Sequence, residues 1–464
     1  MIRDVSKVIT LVIVTIAGTI TSLMMSAVHI ALPTMGKELS IDAVLMGWVI
    51  TAMTLPQVAI LLAAGRFADI YGRKKVFLTG MALFTVANFL CAVSNSAVML
   101  IASRVLQGIA AGMAFGTLMA IVTSVFPGRE RGRALGAVTG AIMAGLAAGP
   151  FYGGIVTEHL GWRSIFYIAS ALCLVAVILI IWKMKGEWAE AKGERFDIAG
   201  SIIFGISIIV LIYGFTILPA ILGFILVVVG IAGLFAFVRL ELRMESPIFD
   251  LNVFRGNRVF VFSNLALMLH FCAVFASVFL LSLYLQYILE FSPQTAGLIM
   301  LFQMVPMAVL APISGRISDR VNPRLVAFAG LTLIFAGLIM FVFLGEETTL
   351  GYIIGGLAIM GIGSGVFSTP NANAIMGSVE KRYLGVAAGT QGTMRSSGQM
   401  VGMAIVMILF ATYIGDTAIT PEYYPAFLTS TRVGFIIFTC LGLCGVLVQL
   451  ISMSKKQDGD ISQL

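Results

Sequence analysis

The sequence predicts an all-α membrane protein of fourteen transmembrane helices, built as two six-helix bundles with two extra helices between them. Three observations predict it. Of 464 residues, 59% are hydrophobic and only 11% charged, with a mean hydropathy of +1.03. Soluble domains run near 45–50% apolar and about 25% charged. Apolar runs of about 20 residues, the length that crosses a hydrocarbon core, recur along the whole chain. The basic residues concentrate in alternate breaks between those runs.

The runs cover about 8–32, 44–64, 76–95, 97–125, 134–156, 164–182, 198–216, 220–238, 259–288, 296–314, 325–343, 351–376, 385–413 and 431–452. The first follows Arg3 and Lys7. It is too long for the apolar part of a signal peptide and has no small-residue cleavage site behind it, so it reads as a span. Only Pro219 separates the two spans of 198–238.

Alternating the breaks places 66–75, 126–133, 183–197, 239–258, 315–324, 377–384 and both termini on one side. That side carries 24 of the 29 Lys and Arg residues. Lys37, Arg163 and Arg432 fall on the other side, and Arg104 and Arg395 within spans. This is the positive-inside bias. It predicts a multi-pass protein of the cell membrane (the inner or plasma membrane) with both termini cytoplasmic. The formal net charge of +7 is then a topology signal, and no nucleic-acid partner is expected. The five cysteines lie in apolar runs without clustered His or carboxylate, so neither disulfides nor a metal site is expected.

The chain repeats itself. The break Gly65-Arg66-Phe67-Ala68-Asp69-Ile70-Tyr71-Gly72-Arg73-Lys74-Lys75 returns as Gly315-Arg316-Ile317-Ser318-Asp319-Arg320-Val321-Asn322-Pro323-Arg324, with Gly, Arg and Asp offset by 250 residues. Downstream, Gly136, Gly140 and Gly149 pair with Gly385, Gly389 and Gly398 at an offset of 249. Two related halves are a known transporter architecture, with the substrate site between them. The expected units are residues 1–197, the extra pair 198–238, and residues 239–464.

In these segments the chain resembles the major facilitator superfamily, and most closely its fourteen-helix drug:proton antiporter family. Gly65 to Lys75 resembles the signature between helices 2 and 3, and Arg104-Val105-Leu106-Gln107-Gly108 a helix 4 motif. The run from Gly145 to Gly154 resembles the helix 5 antiporter motif. Ile30-Ala31-Leu32-Pro33, Trp48, Trp162 to Phe166, Tyr284-Leu285-Gln286, Ser292-Pro293 and Ala296-Gly297 look like further signatures of the fourteen-helix group. The resemblance implies a monomeric, cofactor-free exporter. It would exchange protons for small amphiphilic or drug-like molecules by alternating access, with a small-molecule substrate, protons and the lipid bilayer as partners. The alternative within the same fold is an uncoupled facilitator or an organic-anion transporter.

Several residues are candidates for mechanism. Gly65, Asp69, Gly72, Arg73 and the weaker copy Asp319 form a gating group, since an acid beside a helix end pairs with Arg or a helix N-terminus in one conformation and releases it in another. Gly145, Gly149, Pro150 and Gly153 read as a hinge or tight seam, where small residues admit close helix approach and proline bends the helix. Arg104 and Arg395 lie within spans, where a charge needs partners or a cavity. By resemblance, Arg104 sits on the proton path.

In one respect the chain departs from the family. The usual acid nine residues before Pro33 is Met24 here, followed by Met25, and none of the 22 acidic residues falls in mid-span; Glu290 and Asp416 come closest, at outer helix ends. Histidine, with an ordinary pKa near 6.5, can replace a carboxylate in proton exchange. His270 and His29 join Arg104 as proton-coupling candidates. Met24, Met25, Gln57, Phe271, Gln303, Asn371, Gln391 and Arg395 are expected to line a neutral-to-positive, polarizable cavity that favours neutral, zwitterionic or anionic lipophiles. Three dispersed histidines without a deep acid offer no nucleophile–base pair, so enzyme chemistry is not expected.

Overall fold

A computed structural model describes residues 2–126, 128–218, 220–244, 254, 256–380, 384–415 and 417–453. Pro219, Asp416 and the tail 454–464 lie outside the described residues. Fourteen described helices are long and apolar enough to cross a membrane. The first half holds α1 (Ile2–Leu39), α2 (Ala43–Tyr71), α3 (Arg73–Ala92), α4 (Ala97–Val125), α5 (Gly128–Leu160) and α6 (Arg163–Lys183). The extra pair is α7 (Ile198–Thr216) and α8 (Ile221–Glu241). The second half holds α9 (Arg258–Tyr287), α10 (Pro293–Ser318), α11 (Pro323–Val342), α12 (Leu350–Gly377), α13 (Leu384–Tyr413) and α14 (Tyr424–Met453). Several helices outrun their apolar segments, because hydropathy marks the hydrocarbon slab while backbone hydrogen bonding continues into the interface. Helix α1, for example, continues through Pro33 to Leu39.

Glycine seams organise both halves alike. A Cβ on Gly145, Gly149 or Gly153 of α5 would fall within 2.5, 1.8 and 2.3 Å of atoms of Thr19, Ser26 and Ala27 on α1. A Cβ on Gly398 or Gly402 of α13 would fall 2.2 Å from the Met268 or Cys272 carbonyl oxygen of α9. Gly149 and Gly153 stand 249 residues before Gly398 and Gly402, so glycines at the repeat offset make the seam in each half. In lipid, where no hydrophobic force pulls helices together, such backbone-to-backbone approach is what holds them.

The halves meet at the end away from the basic loops. There the Ala43 amide donates to the Thr417 carbonyl at 3.1 Å, and the Gln294 amide to Glu158 Oε2 at 2.8 Å. The Thr51 hydroxyl donates to the sulfur of Met407 at 3.4 Å. At the basic end, Gly132, Gly136 and Gly140 of α5 and Gly389 of α13 face open space. Helix α7 packs across the junction: Phe204, Ile208 and Ile212 bury against Leu55 and Val58 of α2 and Met400 and Ala404 of α13. The extra pair thereby touches both halves.

Candidate functional site

Proline sets up the centre of the molecule. Pro150 has no N–H to give the Leu146 carbonyl one turn back. The Ser26 hydroxyl of α1 donates to that freed oxygen instead, at 2.7 Å. Pro33 likewise frees the His29 carbonyl, which accepts from the Ser282 hydroxyl of α9 at 2.9 Å. Gln286 of α9 adds a bond to the Ile30 carbonyl at 3.0 Å. These bonds fix α1 between α5 and α9 and hold the His29 ring at the junction of the halves.

A small chamber opens beside that ring. It is lined by Ser26 and His29 of α1, Leu146 of α5, His270, Phe271 and neighbouring residues of α9, Gln303 of α10 and Ser368 of α12. Its volume is about 40 Å³. Drug-sized ligands occupy pockets of roughly 300–1,000 Å³, whereas a water needs roughly 10–15 Å³ and two to four polar partners. In this conformation the chamber suits water and protons, not a substrate.

Its polar groups are set for that. His29 Nδ1 lies 3.2 Å from the Ser26 carbonyl oxygen, which only accepts, so Nδ1 carries the hydrogen and Nε2 a bare lone pair. His270 sits between the rings of Phe271 and Phe367, at centroid distances of 4.9 and 4.8 Å. His29 Nε2, His270 Nδ1 and Gln303 Oε1 are all buried without a hydrogen-bond partner. A buried polar atom left unpaired costs about 1–3 kcal/mol, so three converging on one chamber need an explanation.

Of the residues singled out from sequence, the chamber joins His29, His270, Gln303 and Phe271. The others stand apart from it. Met24 and Met25 are buried in the main apolar core. Arg104 is fully enclosed in the first half: Nε donates to the Val49 carbonyl at 2.9 Å and Nη1 to Gln107 Oε1 at 2.6 Å, and Gln107 passes the chain to Asn88. Those partners satisfy the charge without a cavity. Arg395 is half-buried over the Phe115 ring of α4 at 5.7 Å, across the junction of the halves. Asn371 donates to the Ser263 carbonyl at 3.1 Å. Gln57 is buried on α2 with an unpartnered Oε1, and Gln391 is half-buried on α13.

At the basic end, Asp69 Oδ1 accepts from Arg73 Nε at 2.6 Å. The rest of the Arg73 guanidinium donates to Ser124 Oγ, to the Ala120 carbonyl and to both oxygens of Glu190, at 2.8 and 3.2 Å for the last two. Glu190 belongs to the α6–α7 connection, which by its sequence is a plain loop. It is a clasp. Glu187 accepts from the Lys74 amide at 2.8 Å, and Glu194 pairs with Arg66. Its backbone also closes on the loop, as the Arg73 amide donates to the Trp188 carbonyl and the Ala191 amide to the Asp69 carbonyl. Gly72 has φ +123°, so glycine is required for conformation; a Cβ there would also push aside the exposed Glu187 carboxyl at 2.6 Å. The available signal was Glu187, Glu190 and Glu194 at helical spacing, opposite in charge to Arg66, Arg73 and Lys74. Gly65 packs close to the Gly116 carbonyl of α4 at a Cβ distance of 3.2 Å.

Comparison with known proteins agrees with this architecture. The model of the Major Facilitator Superfamily matches residues 14–402 and again 263–460. The riboflavin transporter RibZ of Clostridioides difficile is 30% identical over 98% of this chain and 99% of its own length. The multidrug resistance protein Stp of Mycobacterium tuberculosis is 27% identical over 84% of this chain and 73% of its own. The multidrug transporter protein MdtP of Bacillus subtilis is 29% identical over 78% and 68%. Fourteen apolar helices in two glycine-seamed halves, matched by the family model along nearly the whole chain, make this protein a membrane transporter of the Major Facilitator Superfamily.

Proposed function

We propose that this transporter is a proton-coupled exporter of small amphiphilic molecules, working as a monomer in the cell membrane with both termini cytoplasmic. The basic end is then the cytoplasmic face, and the described conformation is open inward and shut outward. The clasped loop at Asp69 and Arg73 controls which face opens. The halves are residues 1–197 and 239–464, and the pair 198–238 rides on their junction.

The observation that carries this reading is the chamber with His29 and His270 on its wall. With no acid in mid-span, the imidazoles are the groups able to take and release a proton there. An incoming proton binds His29 Nε2, whose Nδ1–H the Ser26 carbonyl already holds, and makes an imidazolium. A water in contact with His29 Nε2, His270 Nδ1 and Gln303 Oε1 would pass the proton between the rings, which satisfies all three unpaired atoms. Relatives of similar distance carry different cargo names, riboflavin for one and multidrug for others, so the cargo of this chain stays at the class of small amphiphiles.

The test is transport in liposomes enclosing a pH dye, with a panel of lipophilic cations, neutral drugs and organic anions. Substrate-elicited proton movement is expected in the parent protein. It should vanish in His29→Phe and His270→Phe while substrate still binds. Proton movement that survives both substitutions removes the histidines from the coupling path. Substrate flux without any proton movement replaces antiport with facilitated transport.

A further inference from the structure

We propose that the closed end of the molecule carries a second ligand site, for a zwitterionic compound with an aromatic body. It is separate from the chamber and goes beyond the antiport reading. A cavity of about 600 Å³ lies between the α1–α2 turn, the α9–α10 turn and the segment leading into α14. That volume is within the roughly 300–1,000 Å³ typical of small-molecule pockets, and about fifteen times the chamber's 40 Å³.

The two turns each carry a left-handed residue and a fold-back bond, which spans five residues in the first and six in the second. Among the described residues, Ser40 and Glu290 are the only non-glycine positions with positive φ, at 52° and 53°. They are 250 residues apart, the offset of the sequence repeat. Ser40 directly follows α1 and Glu290 lies three residues past α9, each in a left-handed conformation usually left to glycine. The residue after each folds back: the Ile41 amide donates to the Gly36 carbonyl and the Phe291 amide to the Leu285 carbonyl, both at 3.0 Å. Ile41 and Phe291 thereby become walls of the cavity, facing it from opposite halves. Tyr287 and Tyr424 add two more rings, so the interior suits a flat aromatic body.

The charges supply the second half of the specificity. Lys37 from the first half and Glu290 from the second both line the cavity and are exposed at its rim. Among the described residues neither forms an ion pair, with the other or with any third group. An ammonium and a carboxylate that line one aromatic-walled cavity from opposite halves without pairing are complementary to a ligand with both charges. Such a ligand spans the junction of the halves and binds only while this end is shut. It therefore holds the transporter in the described conformation.

The site can be tested with a matched set of fluorescent probes in nanodiscs of phosphatidylglycerol at pH 7.4. Norfloxacin is zwitterionic, its ethyl ester only cationic, and its N-acetyl derivative only anionic. Fluorescence anisotropy at low salt should show norfloxacin binding about threefold to fivefold tighter than either derivative, the advantage of one added charge contact at an exposed rim. Lys37→Ala and Glu290→Ala should each erase that advantage, and the exchanged pair Lys37→Glu with Glu290→Lys should restore it. His29→Phe and His270→Phe should leave it unchanged, which separates this site from the proton chamber. Equal binding of the three probes, or undiminished norfloxacin preference in both alanine variants, overturns the proposal. Glycerophosphoethanolamine, a zwitterionic lipid headgroup without a ring, should fail to displace norfloxacin. Displacement at matching concentration would overturn the aromatic specificity and assign the site to lipid.

Discussion

The two copies of the loop at the basic end share Gly, Arg and Asp at the same offset but differ in what holds them. In the first, Asp69, Arg73, Ser124 and Glu190 form one connected network, covered by the clasp from the α6–α7 connection. In the second, neither Asp319 nor Arg316 forms an ion pair among the described residues. The difference comes from two positions. Where the first loop has Gly72-Arg73, the second has Asn322-Pro323. Pro323 offers no guanidinium, and Asn322 caps α11 by accepting from the Arg324 amide at 3.0 Å. Arg324 turns to the Ser452 carbonyl of α14 at 2.5 Å and stays within its own half. A repeated motif thus holds a buried, clasped arginine in one half and an asparagine-capped, proline-led helix start in the other.

The glycine seams set the scale against which that asymmetry is measured, because there the copies agree. Gly153→Ala and Gly402→Ala should destabilise the protein alike, by about 1–3 kcal/mol, as overpacked sites do. Thermal unfolding in detergent reads this, and a tolerated substitution in one seam alone would break the symmetry. Next in size, Arg73→Ala should lower transport about tenfold, in line with a conformational coupling of roughly 1–3 kcal/mol. Arg316→Ala should change transport by less than about twofold, since no ion pair is lost. Equal losses would show that the second loop also switches. At the helix caps, Gly72→Val puts a β-branched residue at φ +123° and should lower both the unfolding temperature and transport, whereas Asn322→Gly should cost only a few tenths of a kcal/mol. Within the clasp, Glu190→Gln should cost about threefold in flux, because Glu190 meets the buried Arg73. Glu194→Gln should cost almost nothing, because its pair with Arg66 is exposed and open to salt.

Much of the fold is legible in the order of residues alone. The fourteen spans, the alternation of basic loops and the two-fold repeat follow from hydropathy and charge, which act on each segment through its solvent. The special standing of the loop at Asp69 is legible too, since Asp69 adds nothing to the positive-inside bias and so asks for a partner. That partner is not. Pairing of Glu190 with Arg73 depends on how the α6–α7 connection folds back over α2 and α3, which no local pattern encodes. For the intramembrane arginines, an apolar span sets the demand for partners but not their identity. Arg104 meets it with a carbonyl and a glutamine, and Arg395 with an aromatic face.

Sequence alone determined that this chain spans the membrane fourteen times in two related halves, and that none of its 22 acidic residues lies in mid-span. Lipid demands helices with paired backbone groups and apolar sides, so composition is enough to count them. Only the tertiary structure decided that His29 and His270, 241 residues apart, share one chamber with Gln303. It also decided which glycines are seams, and that backbone and side-chain hydrogen bonds join the halves at the end away from the basic loops. Those are facts of helix-on-helix register. They rest on prolines that free a carbonyl for a neighbour and on glycines that admit a backbone, and they take effect only once the helices meet.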